Sequence, residues 1–124
     1  MPRPSFAAHS RGMIMAGSDI YTGTLDVVIL KALAGAPMHG YAVGLWLRRN
    51  SGEVLDVKEG VLYPALHRLE RKRLVKAHWG KTDTGRRAKF YTLTESGREK
   101  LEVETTRLTE HSEAVLALLR TSAR

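Results

Sequence analysis

The stretch Val57-Lys58-Glu59-Gly60-Val61-Leu62-Tyr63-Pro64-Ala65-Leu66-His67-Arg68-Leu69-Glu70-Arg71-Lys72-Arg73-Leu74-Val75 decides how the chain folds. Wound at about 100° per residue, it places Leu62, Leu66 and Leu69 on one narrow side, with Arg73 beside them. Pro64, Arg68 and Arg71 fall on the opposite side, flanked by Gly60 and His67, with Tyr63 at the edge. Such a helix can be anchored by its apolar back and offered to an anionic partner by its basic front. Taken alone, the pattern also fits an ordinary amphipathic helix with a solvated basic face. Pro64 lacks an N–H, so it belongs near the first turn or bends the helix.

Upstream, Leu25, Val28, Ile29, Ala32 and Leu33 follow the i, i+3, i+4, i+7, i+8 spacing of a buried helix face. A first helix is expected from about Tyr21 to Ala34, stopped by Gly35 and Pro37. Met38-His39-Gly40-Tyr41 opens a second helix, expected to run to about Arg49 and to bury Tyr41, Ala42, Leu45 and Trp46. Arg48 and Arg49 suit its negative end, and Asn50-Ser51-Gly52 close it. No second ligand stands at i+3 or i+4 from His39, so capping or packing, rather than metal binding, is its expected role.

Downstream the period changes from 3.6 to 2. Val75, Ala77 and Trp79 alternate with Lys76 and His78, and a second run spans Arg87 to Leu93. The turn-rich Gly80-Lys81-Thr82-Asp83-Thr84-Gly85-Arg86 between them predicts a β-hairpin with a long basic tip, where Lys81, Arg86, Arg87 and Lys89 gather. Four cations against one acid favour phosphate contact over a plain solvated turn. Thr94 is a good N-cap for a last helix from Glu95 to about Leu119. Its apolar seam is Leu101, Leu108 and Val115, widened by Leu118 and Leu119. The seam can fold back on its own core or pair with a second copy. Pairing is favoured, because three short helices and a hairpin offer little surface to cover it.

The chain has 124 residues, a formal net charge of +7 and a pI of about 10.1. That size suits one domain, and small domains often complete their cores by oligomerising. From Met38 to Leu93 there are twelve Lys/Arg against five Asp/Glu, while from Thr94 onward there are five against six. The basic charge is therefore concentrated in the middle segment, which points to nucleic acid or an anionic surface. The absence of cysteine excludes disulfides, thiolate metal sites and cysteine nucleophiles. No glycine-rich phosphate loop, paired-histidine metal motif or nucleophile elbow is present, so an enzyme, a metal and a cofactor are not expected. Asp26 and Glu70 sit in helical patterns that caps and surface pairs explain. No segment has the apolar length of a signal peptide or a membrane span, so a cytoplasmic protein is expected. Residues 1–19 carry no period and are expected to form a disordered arm, with Met13 and Met15 as alternative starts.

The order of helix, helix, basic helix, basic hairpin and long helix predicts an α+β, mostly helical fold. This is a winged helix-turn-helix over residues 20–93, followed by a long C-terminal dimerisation helix over 94–124. The third helix suits a major groove, where base edges are distinguishable, and the hairpin suits the backbone or minor groove. The partner is then double-stranded DNA, contacted by Lys58, Gly60, Tyr63, Pro64, His67, Arg68, Arg71, Lys81, Arg86, Arg87 and Lys89. The competing reading is a winged-helix protein-docking module without specific DNA binding.

Four segments carry a further likeness. Met38-His39-Gly40-Tyr41, Glu59 through Glu70, Trp79 before a Gly/Arg loop, and Tyr91-Thr92-Leu93-Thr94-Glu95-Ser96-Gly97-Arg98 together resemble the PadR family of bacterial transcriptional regulators. Gly23-Thr24-Leu25-Asp26 and Arg86-Arg87-Ala88-Lys89-Phe90-Tyr91 look further like its short, acidobacterial-type branch. The resemblance spans about Tyr21 to Leu119. It implies a homodimeric repressor whose terminal helix is the dimer element and whose Tyr63, His67, Arg68, Arg86 and Arg87 approach DNA. Glu59 and Val61 depart from the small hydroxylated residues often found there in the family. Glu59 must accept from a cytosine amino group or pair with a neighbour such as Lys58, so base choice does not transfer from relatives. Some members bind aromatic or cationic compounds at the dimer interface through a tryptophan or other apolar residues. This terminal helix has no aromatic residue, offering Leu, Val, His111 and carboxylates such as Glu104 instead, and an effector is left unidentified.

Overall fold

The computed structural model describes residues 19–122, and the expected N-terminal arm with its alternative starts lies outside them up to Asp19. The elements are α1 (Asp19–Gly35), β1 (Met38–His39), α2 (Gly40–Asn50), α3 (Glu59–Arg71), β2 (Val75–Lys81), β3 (Arg87–Leu93) and α4 (Glu95–Leu119). The three strands form an antiparallel sheet in the order β1-β3-β2. No described helix is long and apolar enough to cross a membrane.

One core joins the three short helices to the sheet. Ile29 and Leu30 come from α1, Val43 and Leu47 from α2, Leu62, Leu66 and Leu69 from α3, and Val75 and Tyr91 from the strands. The apolar back of α3 is buried as its spacing requires. The expected buried face of α1 holds, except that Val28 is only half-buried and Val27 and Leu30 are also enclosed. The phase of α2 differs from expectation. Gly40, Val43 and Leu47 are its buried residues, whereas Ala42, Leu45 and Trp46 are half-buried and Tyr41 is 68% exposed. The cause lies at its start, because Met38 and His39 pair with Tyr91 and Phe90 as a strand instead of opening the helix. His39 then caps α2, its Nδ1 accepting from the Ala42 N–H at 3.3 Å, and packs edge-on to Phe90.

The connection from α2 to α3 is closed by Gly52 in the left-handed region (φ 64), where the Glu53 N–H reaches the Arg48 carbonyl at 2.8 Å. Val57 plugs this loop into the core. Pro64 sits six residues into α3 and is exposed, so its ring faces away from the packing. Arg73, expected beside the leucines, lies beyond the helix. It takes φ 62 as the left-handed stop, with Leu74 N–H on Leu69 O (3.0 Å) and Arg73 N–H on Glu70 O (2.9 Å). A side chain in that conformation is costly where glycine is not.

The same corner fixes α4. The Thr94 N–H donates to Leu74 O (3.1 Å) and its hydroxyl donates to Arg73 O (2.8 Å). The Thr94 hydroxyl oxygen also accepts from the Gly97 N–H (3.0 Å), which is the expected N-cap. Gly97 is buried against the Leu74 carbonyl. A methyl there would run into that oxygen and stand 2.7 Å from Leu93 Cδ1. The front of α4 lies on α1 and β3, and Leu101 packs on the core. The seam is thus divided: Leu101 and Leu108 are partly covered by their own chain, while Val115, Leu118 and Leu119 are exposed.

Two substitutions test this corner by urea denaturation. Gly97→Ala is expected to destabilise the fold by ~2–3 kcal/mol, because a backbone carbonyl cannot move aside as a side chain can. Arg73→Gly is expected to stabilise it by up to ~1 kcal/mol through relief of the left-handed strain. A loss of stability there would show that the Arg73 side chain contributes more than its backbone costs.

Candidate nucleic-acid interface

The hairpin builds one side of the site by strand alternation. The face turned toward α3 carries, from base to tip, the pairs Val75↔Leu93, Ala77↔Tyr91, Trp79↔Lys89 and Lys81↔Arg87. It grades from core to aromatic to purely cationic. The tip is tighter than expected. The Thr82 N–H donates to Arg86 O at 2.8 Å, which leaves only Asp83-Thr84-Gly85 as the loop, with Gly85 at φ 85. Lys81, Arg87 and Lys89 therefore stand on strands, and Arg86 directly precedes β3.

The other side is the N-terminal half of α3. Between the two runs an open cleft of about 750 Å³, lined among others by Tyr63, His67, Trp79, Arg86, Arg87 and Lys89. Tyr63 is held there because its ring lies across Gly40, whose absent side chain leaves the space; a methyl on Gly40 would meet Tyr63 Cζ at 2.7 Å. Burial, and then the charge of Glu59, raise the Tyr63 phenol above its usual 10.0. It is therefore a neutral hydroxyl, able to donate to phosphate or base, throughout the physiological range.

The residues singled out by sequence divide into groups. Gly60, Pro64, His67 and Arg71 are exposed on α3, and Lys81, Arg86 and Arg87 are exposed on the hairpin. Lys58 precedes α3 and pairs with Asp56 at 3.0 Å, not with Glu59. Two cations are committed internally. Arg68 turns to α1 and holds Asp26 through two contacts, 2.6 and 3.4 Å, with both side chains partly buried. Lys89 reaches Glu70 at 3.5 Å. The front of α3 is therefore less basic than the helical wheel implies. Two exposed aromatic residues of the cleft were not predicted as site residues: Tyr41, 68% exposed, and Trp79, 59% exposed. The two-residue spacing from Trp79 to Lys81 puts both on one face, but sequence alone does not show that the sheet outruns the core at that point.

A helical core carrying a helix-turn-helix, extended by a β-hairpin whose cationic end stands beside the exposed helix, defines a winged helix-turn-helix. The family model for PadR-like transcriptional regulators matches residues 29–103. The chain belongs to that family of transcriptional regulators. Among solved structures it is similar to a PadR-like transcriptional regulator from Bacillus cereus, at 27% identity and a TM-score of 0.72, covering 85% of this chain and 100% of the other. A transcriptional regulator from Clostridium thermocellum gives 26% and 0.71, covering 84% and 100%. A Lysinibacillus sphaericus protein is 31% identical over 87 residues, 70% of this chain and 80% of its own length. A 37.1 kDa protein of a Streptomyces fradiae transposon is 42% identical over 83 residues, 67% of this chain but only 22% of that protein.

The packing of Tyr63 on Gly40 is testable by a double-mutant cycle. Gly40→Ala is expected to cost ~1–3 kcal/mol in the parent chain and much less in a Tyr63→Ala background, where the obstacle is gone. Equal costs in both backgrounds, measured by denaturant titration, would show that the ring is not what Gly40 accommodates.

Proposed function

We propose that the protein is a homodimeric repressor, of the short acidobacterial-type branch, that binds a pseudo-palindromic operator in the cytoplasm. Helix α3 enters the major groove with Gly60, Tyr63, Pro64, His67 and Arg71, while Lys81, Arg86 and Arg87 of the wing meet the backbone or minor groove. The observation that carries this reading is the cleft itself, a concave surface between an exposed helix face and a cationic strand pair. Among the described residues, no carboxylate lies within ion-pair distance of Lys81, Arg86 or Arg87. Unpaired cations at fixed positions suit phosphate. Repression is what the family resemblance implies.

The dimer rests on the exposed end of α4. Val115, Leu116, Leu118 and Leu119 form an apolar surface that a second copy's α4 would cover. Two such chains would set two α3 helices about 34–36 Å apart, one turn of the duplex. A groove between α1 and α4 is lined by Thr24, Val27, Glu104, Arg107 and His111, among others. Glu104 is engaged there by Lys100 and Arg107. Among the described lining residues His111 is the one with a ring, and Phe, Tyr and Trp are absent.

Fluorescence anisotropy with the DNA upstream of the protein's own gene, against a shuffled duplex across a salt series, tests the proposal. Preference for the native fragment at physiological salt, with two chains per site, is the expected outcome for an autoregulating dimer. Arg86→Gln with Arg87→Gln is expected to weaken both DNAs and to flatten the log–log salt slope by about two per wing. His67→Ala is expected to weaken the native fragment more than the shuffled one. Equal losses would refute base readout by His67, and no binding at low salt would favour protein docking instead.

A further inference from the structure

Arg87 and Lys81 are directly opposed in the wing, a like-charge pairing that is unfavourable until an anion joins it. The guanidinium of Arg87 is nevertheless held in place. It lies 4.2 Å from the centroid of the Trp79 ring, and Trp79 is 59% exposed on the face turned to the cleft. The neighbouring cations behave differently. Lys89 lies 5.7 Å from the Tyr91 ring centroid but also reaches a carboxylate, Glu70, at 3.5 Å, and Arg86 has neither an acid nor a ring contact among the described residues.

A carboxylate partner would fix an arginine but also neutralise it, and binding a phosphate would require that pair to break. An indole face fixes the guanidinium while leaving its charge and its donor edge available. An unanchored arginine loses much rotamer freedom when it docks, and stacking removes part of that loss beforehand. We propose that Trp79 is a positioning residue for DNA binding, stacking Arg87 so that its guanidinium is presented across the cleft to a backbone phosphate of the strand lying between α3 and the wing. The inference rests on the reading of this face as a DNA-binding surface. It adds a role for a residue that the helix and wing cations do not account for, and it explains why a large aromatic side chain is left in solvent.

The test is a set of variants measured by anisotropy on one duplex across a salt series, with thermal melts as a folding control. Trp79→Leu is expected to weaken binding about fivefold, as the ordering of one freed Arg87 side chain in each of two wings implies. It is also expected to flatten the salt slope although no charge has been removed, an effect that a merely packed tryptophan would not produce. Its melting temperature should stay close to the parent value, because the side chain is mostly exposed. Trp79→Phe should recover most of the affinity. In the background of Arg87→Gln, Trp79→Leu should have almost no further effect, whereas with Arg86→Gln the two losses should add. Parent-like binding by Trp79→Leu, or additive losses with Arg87→Gln, would overturn the proposal while leaving the DNA-binding reading intact. Failure of the unaltered protein to bind any duplex at low salt would remove both.

Discussion

The close backbone approach of Gly97 to the Leu74 carbonyl is the constraint from which the rest of the molecule is laid out. At that corner α3 has just ended, β2 is about to begin and α4 is leaving β3. Thr94 binds all of them, with its amide on Leu74, its hydroxyl on Arg73 and its oxygen capping Gly97. A larger side chain at position 97 would push the last helix away from the sheet. The wing and the terminal helix are therefore not independent attachments. They spring from a single joint whose geometry admits only a residue without a side chain.

A second constraint is electrostatic. The sequence has a strongly basic middle, but the fold uses part of that charge for itself. Arg68 is turned back to Asp26 and Lys89 toward Glu70, both at distances that hold them against the core side. Of the cations left over, Arg86 and Arg87 line the cleft, and Arg71 and Lys81 are exposed on the same helix and hairpin. A salt bridge of intermediate burial stabilises only modestly. Its larger effect here is to subtract a charge from the helix front and to leave the remaining ones where backbone phosphates can be met.

Much of this was legible in the sequence, for a physical reason. Apolar side chains at helical spacing must be buried, and Leu62, Leu66 and Leu69 are. Thr94 before a helix-forming run must cap it, and it does. The change of period at Val75 announced the hairpin. What was not legible depended on partners far apart in sequence. The helical phase of α2 shifted because Met38 and His39 found β3 as a strand partner. The wing proved short because Thr82 and Arg86 continue the ladder. Arg68 left the helix front because Asp26, 42 residues earlier, stands opposite it. Trp79 followed the alternation but not the burial, because the sheet extends past the core at its level.

The commitment of Arg68 to Asp26 has a consequence for how relatives of this chain can diverge. Glu59, Gly60, Pro64 and His67 are exposed on α3 and hold no described partner elsewhere in the fold. They can be exchanged without disturbing the frame that carries them. Arg68, one residue from His67, cannot, since its exchange strands a carboxylate on a neighbouring helix. Adjacent positions on one helix are thus subject to different selection. One set is free to drift, and the other is tied to folding. If α3 reads DNA as proposed, new specificities would come from changes on the outward edge of a helix whose placement is inherited intact.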